Sequence, residues 1–231
     1  MLFSPQIPLP LEPRREGRLD DFVVGPNRAA VDAVREVVAE PDASLYLRGP
    51  AASGKTFLLN AACLAAREKG MTAFYLGLKR LPANGAAALN GLENLDLVCI
   101  DDLHLIEGRP DWQTALFHLY NRLRDSGRQL ILGARKSPRG LELELADLKS
   151  RLQWGLTFQL HPLSDADKLA ALRQRSRLRG FDLPEDVAQY ILHRAPRDTR
   201  ALFACLEQLD RASLQAQRKI TIPFVKQVLN I

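Results

Sequence analysis

The sequence contains no apolar run approaching the roughly 18–20 residues that span a bilayer. Its first residues lack the charged-then-apolar layout of a secretory signal, and Pro5, Pro8, Pro10 and Pro13 interrupt them. Both absences lead us to expect a cytoplasmic protein. Cysteine is scarce: Cys63, Cys99 and Cys205 lie far apart in apolar contexts, and no CxxC pair occurs. The four histidines, His104, His118, His161 and His193, are equally scattered. Metal-ligand spacing is therefore missing, and buried structural thiols are expected. Neither charge sign dominates; a net charge of +5 permits contact with an acidic partner or nucleic acid without demonstrating it. There is no internal repeat and no low-complexity tract.

What is present is enough apolar material for a substantial core, with 46% of residues hydrophobic, and 231 residues are long enough for one large domain or for one domain with a smaller appendage. Short apolar runs at 45–47, 72–76, 97–100 and 130–132 read as buried strands, and a last short run at 156–160 completes a five-stranded set. Amphipathic patterns near 27–39, 55–69, 111–125 and 142–152 read as helices between them. Strand and helix in alternation predict an α/β domain with a parallel sheet covered on both faces. From Ser164 onward only helical patterns follow, near 165–179, 184–194, 198–217 and 223–230. Ser164 with Asp167 three residues on has the form of a helix start. The expected organisation is a tail (1–17), a nucleotide-binding α/β domain (18–162) and a small all-helical domain (163–231).

Residues 49–56, GPAASGKT, fit G-x-x-x-x-G-K-[ST], with a strand entering and a helix leaving. Gly49 and Gly54 let the loop through Pro50, Ala51, Ala52 and Ser53 turn its backbone N–H groups inward, toward phosphate oxygens. The following helix adds its positive N-terminal end. Lys55 can reach β- and γ-phosphates, and the Thr56 hydroxyl can ligate Mg²⁺. The strand Leu97 to Ile100 ends in Asp101 and Asp102. Beside the phosphate loop, Asp101 is expected to hold Mg²⁺ through water and Asp102 to face the γ-phosphate.

Together with a helical lid, these motifs resemble the AAA+ ATPases, a P-loop fold with a five-stranded parallel sheet flanked by helices. The resemblance narrows to the DnaA/Hda group on LDDFVVG (19–25), IDDLHLI (100–106), LFHLYNRL (116–123), the run 163–192 and Asp198-Thr199-Arg200. The tail QRKITIPFVKQVL (217–229) is similar to the regulatory inactivators of that group. The sequence reaches Ile231 where the lid ends, without the helix-turn-helix reader of an initiator, so a regulator is expected. The resemblance implies ATP or ADP with Mg²⁺ as ligands, Val23 and Val24 among the nucleotide-binding residues, Arg200 as an arginine folding over the phosphates from the lid, and Arg151, in LKSRL (148–152), as a finger reaching a neighbour's nucleotide in trans. A self-associating AAA+ protein is also compatible with this pattern.

One departure stands out. After Leu130 to Leu132, where the AAA+ group keeps a polar residue that orients the attacking water, this sequence has Gly133-Ala134-Arg135-Lys136. Asp102 also stands where many members carry glutamate. Weak or absent self-hydrolysis is expected. The competing reading is an autonomous AAA+ ATPase, such as a helicase loader or DnaA-like replication factor. Arg173, Arg175, Arg177 and Arg179 make one lid helix basic, which is ordinarily a solvated face.

The N-terminal Gln6-Ile7-Pro8-Leu9-Pro10-Leu11 resembles the peptides that dock on the bacterial sliding clamp, the beta subunit of DNA polymerase III. Prolines hold such a segment extended and reduce the freedom lost on binding. Gln6 can bond at a pocket rim, while Ile7, Leu9 and Leu11 supply apolar anchors. The implied activity is stimulation, from the clamp, of hydrolysis of ATP bound to DnaA, with DNA contacted indirectly and re-initiation prevented.

Overall fold

The five apolar runs pair into a single parallel sheet in the order β2–β3–β4–β1–β5. The computed structural model describes residues 17–82, 84–195 and 199–231. The strands are β1 (Ser44–Arg48), β2 (Ala73–Gly77), β3 (Leu97–Asp101), β4 (Gln129–Ala134) and β5 (Leu156–Gln159). Successive side chains point to opposite faces, so the strands β1 to β4 divide their apolar residues between two cores, while the edge strand β5 is largely exposed and packs only Phe158 against one of them. Leu45, Leu47, Leu97, Cys99 and Ile131 join Val31 and Val34 of α1 (Arg28–Ala39) and Leu58 and Leu59 of α2 (Lys55–Glu68). Tyr46, Val98, Ile100, Leu130 and Leu132 join Trp112 and Leu116 of α3 (Pro110–Asp125) and Leu148 and Leu152 of α4 (Ala146–Leu152). Burial on both faces is why β3 and β4 lack any polar alternation. Of the cysteines, Cys63 and Cys99 are buried and Cys205 is half-buried.

β4 sits between β1 and β3, with Leu47 opposite Gly133 and Ile100 opposite Leu132. That order brings the loop after β1, the end of β3 and the end of β4 to one edge of the sheet, although β1 and β3 do not pair.

The helix expected over 142–152 begins only at Ala146. The preceding segment, Leu141-Glu142-Leu143-Glu144-Leu145, alternates with period two, not 3.6. It runs without helix, with Leu141 fully buried. The buried Gln113 Oε1 accepts from Glu144 N (2.9 Å) and Leu145 N (3.0 Å), and Glu107 Oε1 accepts from Glu142 N (2.7 Å), so the backbone donors are satisfied outside a helix.

The C-terminal part is helical: α5 (Asp165–Leu178), α6 (Glu185–Arg194), α7 (Thr199–Ala216) and α8 (Ile222–Leu229). The start expected at Ser164 forms a reciprocal cap: Ser164 Oγ accepts from Asp167 N at 3.1 Å, and Asp167 Oδ2 accepts from Ser164 N at 3.1 Å. A third core of Leu172, Val187, Ile191, Leu202, Leu206 and Val225 holds this lid together, separate from the two cores of the sheet. Among the described residues no helix is long and apolar enough to cross a membrane.

Candidate functional site

A cavity of about 770 Å³ lies between the sheet's C-terminal edge and the lid. Its floor is the loop that joins β1 to α2. Gly54 has φ +96°, a left-handed conformation that glycine adopts freely. A Cβ there would also stand 2.6 Å from the Phe22 ring, and a Cβ on Gly49 would stand 2.6 Å from the Leu160 carbonyl oxygen. Ala52 is left-handed as well, at φ +61°, a conformation costing about 1–2 kcal/mol for a residue with a Cβ. The fold holds this strain, which is common at ligand-binding loops. No side chain caps the N-terminus of α2. Its first N–H groups lack intrahelical acceptors and suit an anion.

Lys55 is 6% exposed and folds back on the loop: its Nζ donates to Gly49 O (2.7 Å), Pro50 O (2.8 Å) and Ser53 Oγ (3.4 Å). Burial pushes its pKa below the usual lysine range, the charges of Asp101 and Asp102 oppose that, and Arg135 pushes it down further. The Thr56 hydroxyl donates to Asp101 Oδ2 at 2.5 Å, the Tyr75 hydroxyl donates to the same oxygen at 3.2 Å, and Asp102 N donates to Asp101 Oδ1 at 2.8 Å. Asp101 is 1% exposed, and burial raises its carboxyl pKa despite those donors. Asp102 turns into the left-handed region, φ +59°, and lines the cavity.

The absence of a polar side chain after Leu132 has a steric cause. A Cβ on Gly133 would lie 2.7 Å from Asp101 Oδ1 and 2.8 Å from Leu59 Cδ1, so the carboxylate occupies that space. Ala134 is fully buried. Arg135 is the first side chain past β4 to reach the cavity wall.

Of the residues singled out from sequence, Ala51, Ala52, Ser53, Gly54, Lys55, Thr56, Asp102 and Val23 line one cavity. Gly49 and Pro50 stand behind it, holding Lys55 through their carbonyls. Val24, half-buried, is outside the lining because the chain turns there into the 3-10 helix Gly25–Asn27. Arg200 lies in the first turn of α7, after the wall residue Thr199. Gln6, Ile7, Leu9 and Leu11 lie outside the described residues. Sequence reasoning missed an apolar patch of Phe22, Leu163 and Phe203, suited to a flat ring, and the two arginines Arg135 and Arg175. Arg175 lies over the Phe203 ring at 4.4 Å. Its neighbours on the basic helix are tied within the lid, Arg173 to Glu185 (3.3 Å) and Arg179 to Glu207 (2.7 Å) and Asp210 (3.3 Å).

Arg151 is not a wall of this cavity. It lies in the last turn of α4, before the N-terminal end of β5, stacked at 4.2 Å over Trp154, whose ring Arg124 also covers at 4.6 Å. Trp154 shares a smaller cavity of about 300 Å³ with Ser44, the first residue of β1. The phosphate-loop motif follows the last residue of β1, a strand length of about 16 Å away. Arg151 is therefore at the opposite end of the sheet from its own chain's loop.

A parallel sheet in this order, a G-x-x-x-x-G-K-T loop after β1, two acids ending β3 and a helical lid define the AAA+ class of P-loop proteins. Within it, the chain belongs to the bacterial DnaA ATPase-domain family. The family model "Bacterial DnaA ATPase domain" matches residues 14–159, and the model "Hda, lid domain" matches residues 165–229. Among solved structures, domain III of the Thermotoga maritima replication initiation protein DnaA superposes with a TM-score of 0.75 at 24% identity, covering 92% of this chain and 95% of that one. AMPPCP-bound DnaA from Aquifex aeolicus gives 0.70 at 22% identity, covering 87% and 67%. The Thermotoga maritima RuvB Holliday junction branch migration motor gives 0.60 at 15%, covering 86% and 68%. At these identities the likeness is one of fold.

Proposed function

We propose that the protein is a nucleotide-bound regulator of replication initiation, which stimulates hydrolysis of ATP held by DnaA while its N-terminal tail holds the sliding clamp. The observation that supports this most is the separation of two halves of one chemistry. The loop, lysine and acids surround one cavity, and Arg151 lies at the far end of the sheet, where it can serve only another molecule's nucleotide. A family member with AMPPCP bound supports an adenine nucleotide in the cavity.

In this reading the loop amides and Lys55 bind the phosphates, and Phe22, Val23, Leu163 and Phe203 enclose the base. Thr56 and Asp101 form a hydroxyl–carboxylate pair of oxygen donors at a buried acid with no cation in direct contact, a set that suits Mg²⁺. The metal would neutralise phosphate charge. Lys55 must leave the Gly49 and Pro50 carbonyls to meet a phosphate, so ligand entry is coupled to the loop's own hydrogen bonds. With Gly133 and Ala134 where a water-orienting group is needed, the bound nucleotide fixes the lid and is turned over slowly. Catalysis belongs to the complex: Arg151 offers a guanidinium to charge developing on the ATP of DnaA. Clamp contact rests on Gln6, Ile7, Leu9 and Leu11, and DNA is met through the clamp.

The test is ATP turnover by DnaA with clamp loaded on DNA, with and without this protein. Stimulation that requires both Arg151 and residues 1–13 supports the reading. Brisk turnover by the isolated protein, abolished by Lys55→Ala, would favour an autonomous ATPase. Clamp binding that survives deletion of residues 1–13 would refute the tail assignment.

A further inference from the structure

We propose that Asn27, which lies outside the cavity, is a positioning residue for nucleotide retention: it grips both backbone groups of His161 and so fixes the pivot on which the lid closes. This rests on the reading that the cavity takes an adenine nucleotide, and adds to it the joint that decides how long the nucleotide stays.

Among the described residues the chain passes from sheet to lid once, between the end of β5 at Gln159 and the start of α5 at Asp165. Leu160 N donates to Arg48 O at 2.7 Å, continuing the sheet one residue past the strand. His161 comes next. Its N–H donates to Asn27 Oδ1 at 2.7 Å, and its carbonyl accepts from Asn27 Nδ2 at 3.0 Å, a pair of bonds across 134 positions of sequence. Beyond it stand Pro162, which has no N–H, and Leu163, which already lines the cavity. The lid has its own core, so this crossing is where the two bodies turn against each other.

Asn27 is diverted from the task its position suggests. It stands at the N-cap of α1, where an asparagine side chain ordinarily accepts from the first N–H groups of the helix. It makes no such bond. Both ends of its amide go to His161 instead, and the residue is only 2% exposed. α1 is rooted in the first core through Ala30, Val31 and Val34, so the grip has a rigid support.

The same short segment reaches the ligand site. Phe22 and Val23 wall the cavity. Gly25 has φ +44°, and a Cβ there would stand 2.7 Å from Leu163 Cδ2, so the start of the lid seats directly on this turn. Residues 22–27 therefore run from the cavity wall, through the seat of the lid, to its pivot. Release of a nucleotide needs the lid wall of Arg175, Thr199 and Phe203 to swing away, and the Asn27 grip opposes that swing. Contacts that hold a closed lid slow dissociation more than they alter association.

The experiment loads the full chain with N-methylanthraniloyl-ADP and magnesium, chases with excess ADP and follows the fluorescence by stopped flow. The variants are Asn27→Ala, Asn27→Ser, Gly25→Ala and, as a control for fold stability alone, Gln113→Ala, which removes a buried amide outside the cavity. We expect Asn27→Ala to speed dissociation about tenfold, the scale of the lost hydrogen bonds, with association changed by less than about threefold. Asn27→Ser suits a helix start and is too short to span both His161 groups, so it should do the same and guards against misfolding of the alanine variant. Gly25→Ala should also speed release, by displacing Leu163. A merely destabilised fold lowers the amount of nucleotide bound, not the rate at which bound nucleotide leaves. Gln113→Ala should therefore lose amplitude and keep the parent's rate. Dissociation at the parent's rate in both Asn27 variants, or an equal acceleration in Gln113→Ala, would overturn the assignment. A parent that binds no nucleotide at millimolar concentration would instead sink the nucleotide reading on which it rests.

Discussion

The Thr56 hydroxyl donates to Asp101 Oδ2 across 2.5 Å, linking the first turn of α2 to the last residue of β3 over 45 positions of sequence. The bond exists because β4 spaces β3 and β1 so that their ends share one edge. It leaves an anion that is nearly without solvent, satisfied by three donors and by no cation in direct contact. The same pair carries a desolvation strain and offers the oxygen donors that the proposed function assigns to Mg²⁺.

That strain predicts a pH-dependent stability. Burial raises the Asp101 pKa above its unfolded value. In the window between the two, the folded state binds more protons, so stability falls as pH rises through it. Asp101→Asn removes the charge while keeping an acceptor for Asp102 N and a donor for the two hydroxyls. Without nucleotide or magnesium, we expect its Tm at pH 7.5 to exceed the parent's by about 2–4 °C per kcal/mol relieved, and the gap to close as pH approaches about 4. Thermal unfolding monitored by circular dichroism checks this, and a parent at least as stable as the variant at neutral pH contradicts it.

With ligand the sign of the same substitution reverses. Thr56→Val keeps the shape of the side chain and removes its oxygen donor, and Asp101→Asn removes the ligand charge. We expect both to bind ADP in EDTA much as the parent does and to lose the gain in affinity that magnesium brings. Isothermal titration with and without magnesium reads this directly. An intact magnesium gain in both variants would remove this pair as the metal's ligands.

Gly133 carries the steric side of the arrangement. Its Cβ position lies 2.7 Å from Asp101 Oδ1 and 2.8 Å from Leu59 Cδ1, both in the interior. Gly133→Ala must displace one of them. Overpacking of this kind costs about 1–3 kcal/mol, which corresponds to a Tm lower by about 2–12 °C. Loss of the magnesium gain should accompany it, because the group pushed is the carboxylate. A variant as stable as the parent would show that the Asp101 side chain can swing away without penalty.

Much of this was legible in the sequence because burial on both faces leaves the central strands β1, β3 and β4 as short unbroken apolar runs, and because the loop between β1 and α2 needs its residues in fixed order. The start of α4 was not, since Leu141 to Leu145 has apolar content that fits a helix but a period of two. Strand order does not show in the pattern at all, and with it went Arg135: an arginine past a strand end resembles any surface charge until β4 is placed between β1 and β3. Arg173 and Arg179 looked like a solvated basic face because their acids, Glu185, Glu207 and Asp210, come from later helices. Phe22 and Phe203, some 180 residues apart, become one wall only when the lid closes on the sheet.

Arg151 lies over the face of Trp154, and the arrangement makes that ring a platform for the proposed finger. The Trp154 side is open, with the residue 55% exposed and Leu156 beside it 58% exposed, a combination that fits contact with another molecule. A cation–π contact at an exposed site contributes about 0.5–1 kcal/mol, so Trp154→Ala should lower stimulated hydrolysis by DnaA about two- to fivefold. Trp154→Phe should restore most of it, because a ring remains. Arg151→Ala should lower it by about a thousandfold, the scale of an arginine acting in trans. Docking itself can be read separately. Trp112 is 2% exposed, so iodide quenching of tryptophan fluorescence reports mainly on Trp154. DnaA should protect Trp154 from iodide in the parent and in Arg151→Ala alike, since the latter loses the charge and keeps the surface. Quenching unaffected by saturating DnaA would show that this end of the sheet does not face the initiator, and Arg151 would then have no nucleotide to reach.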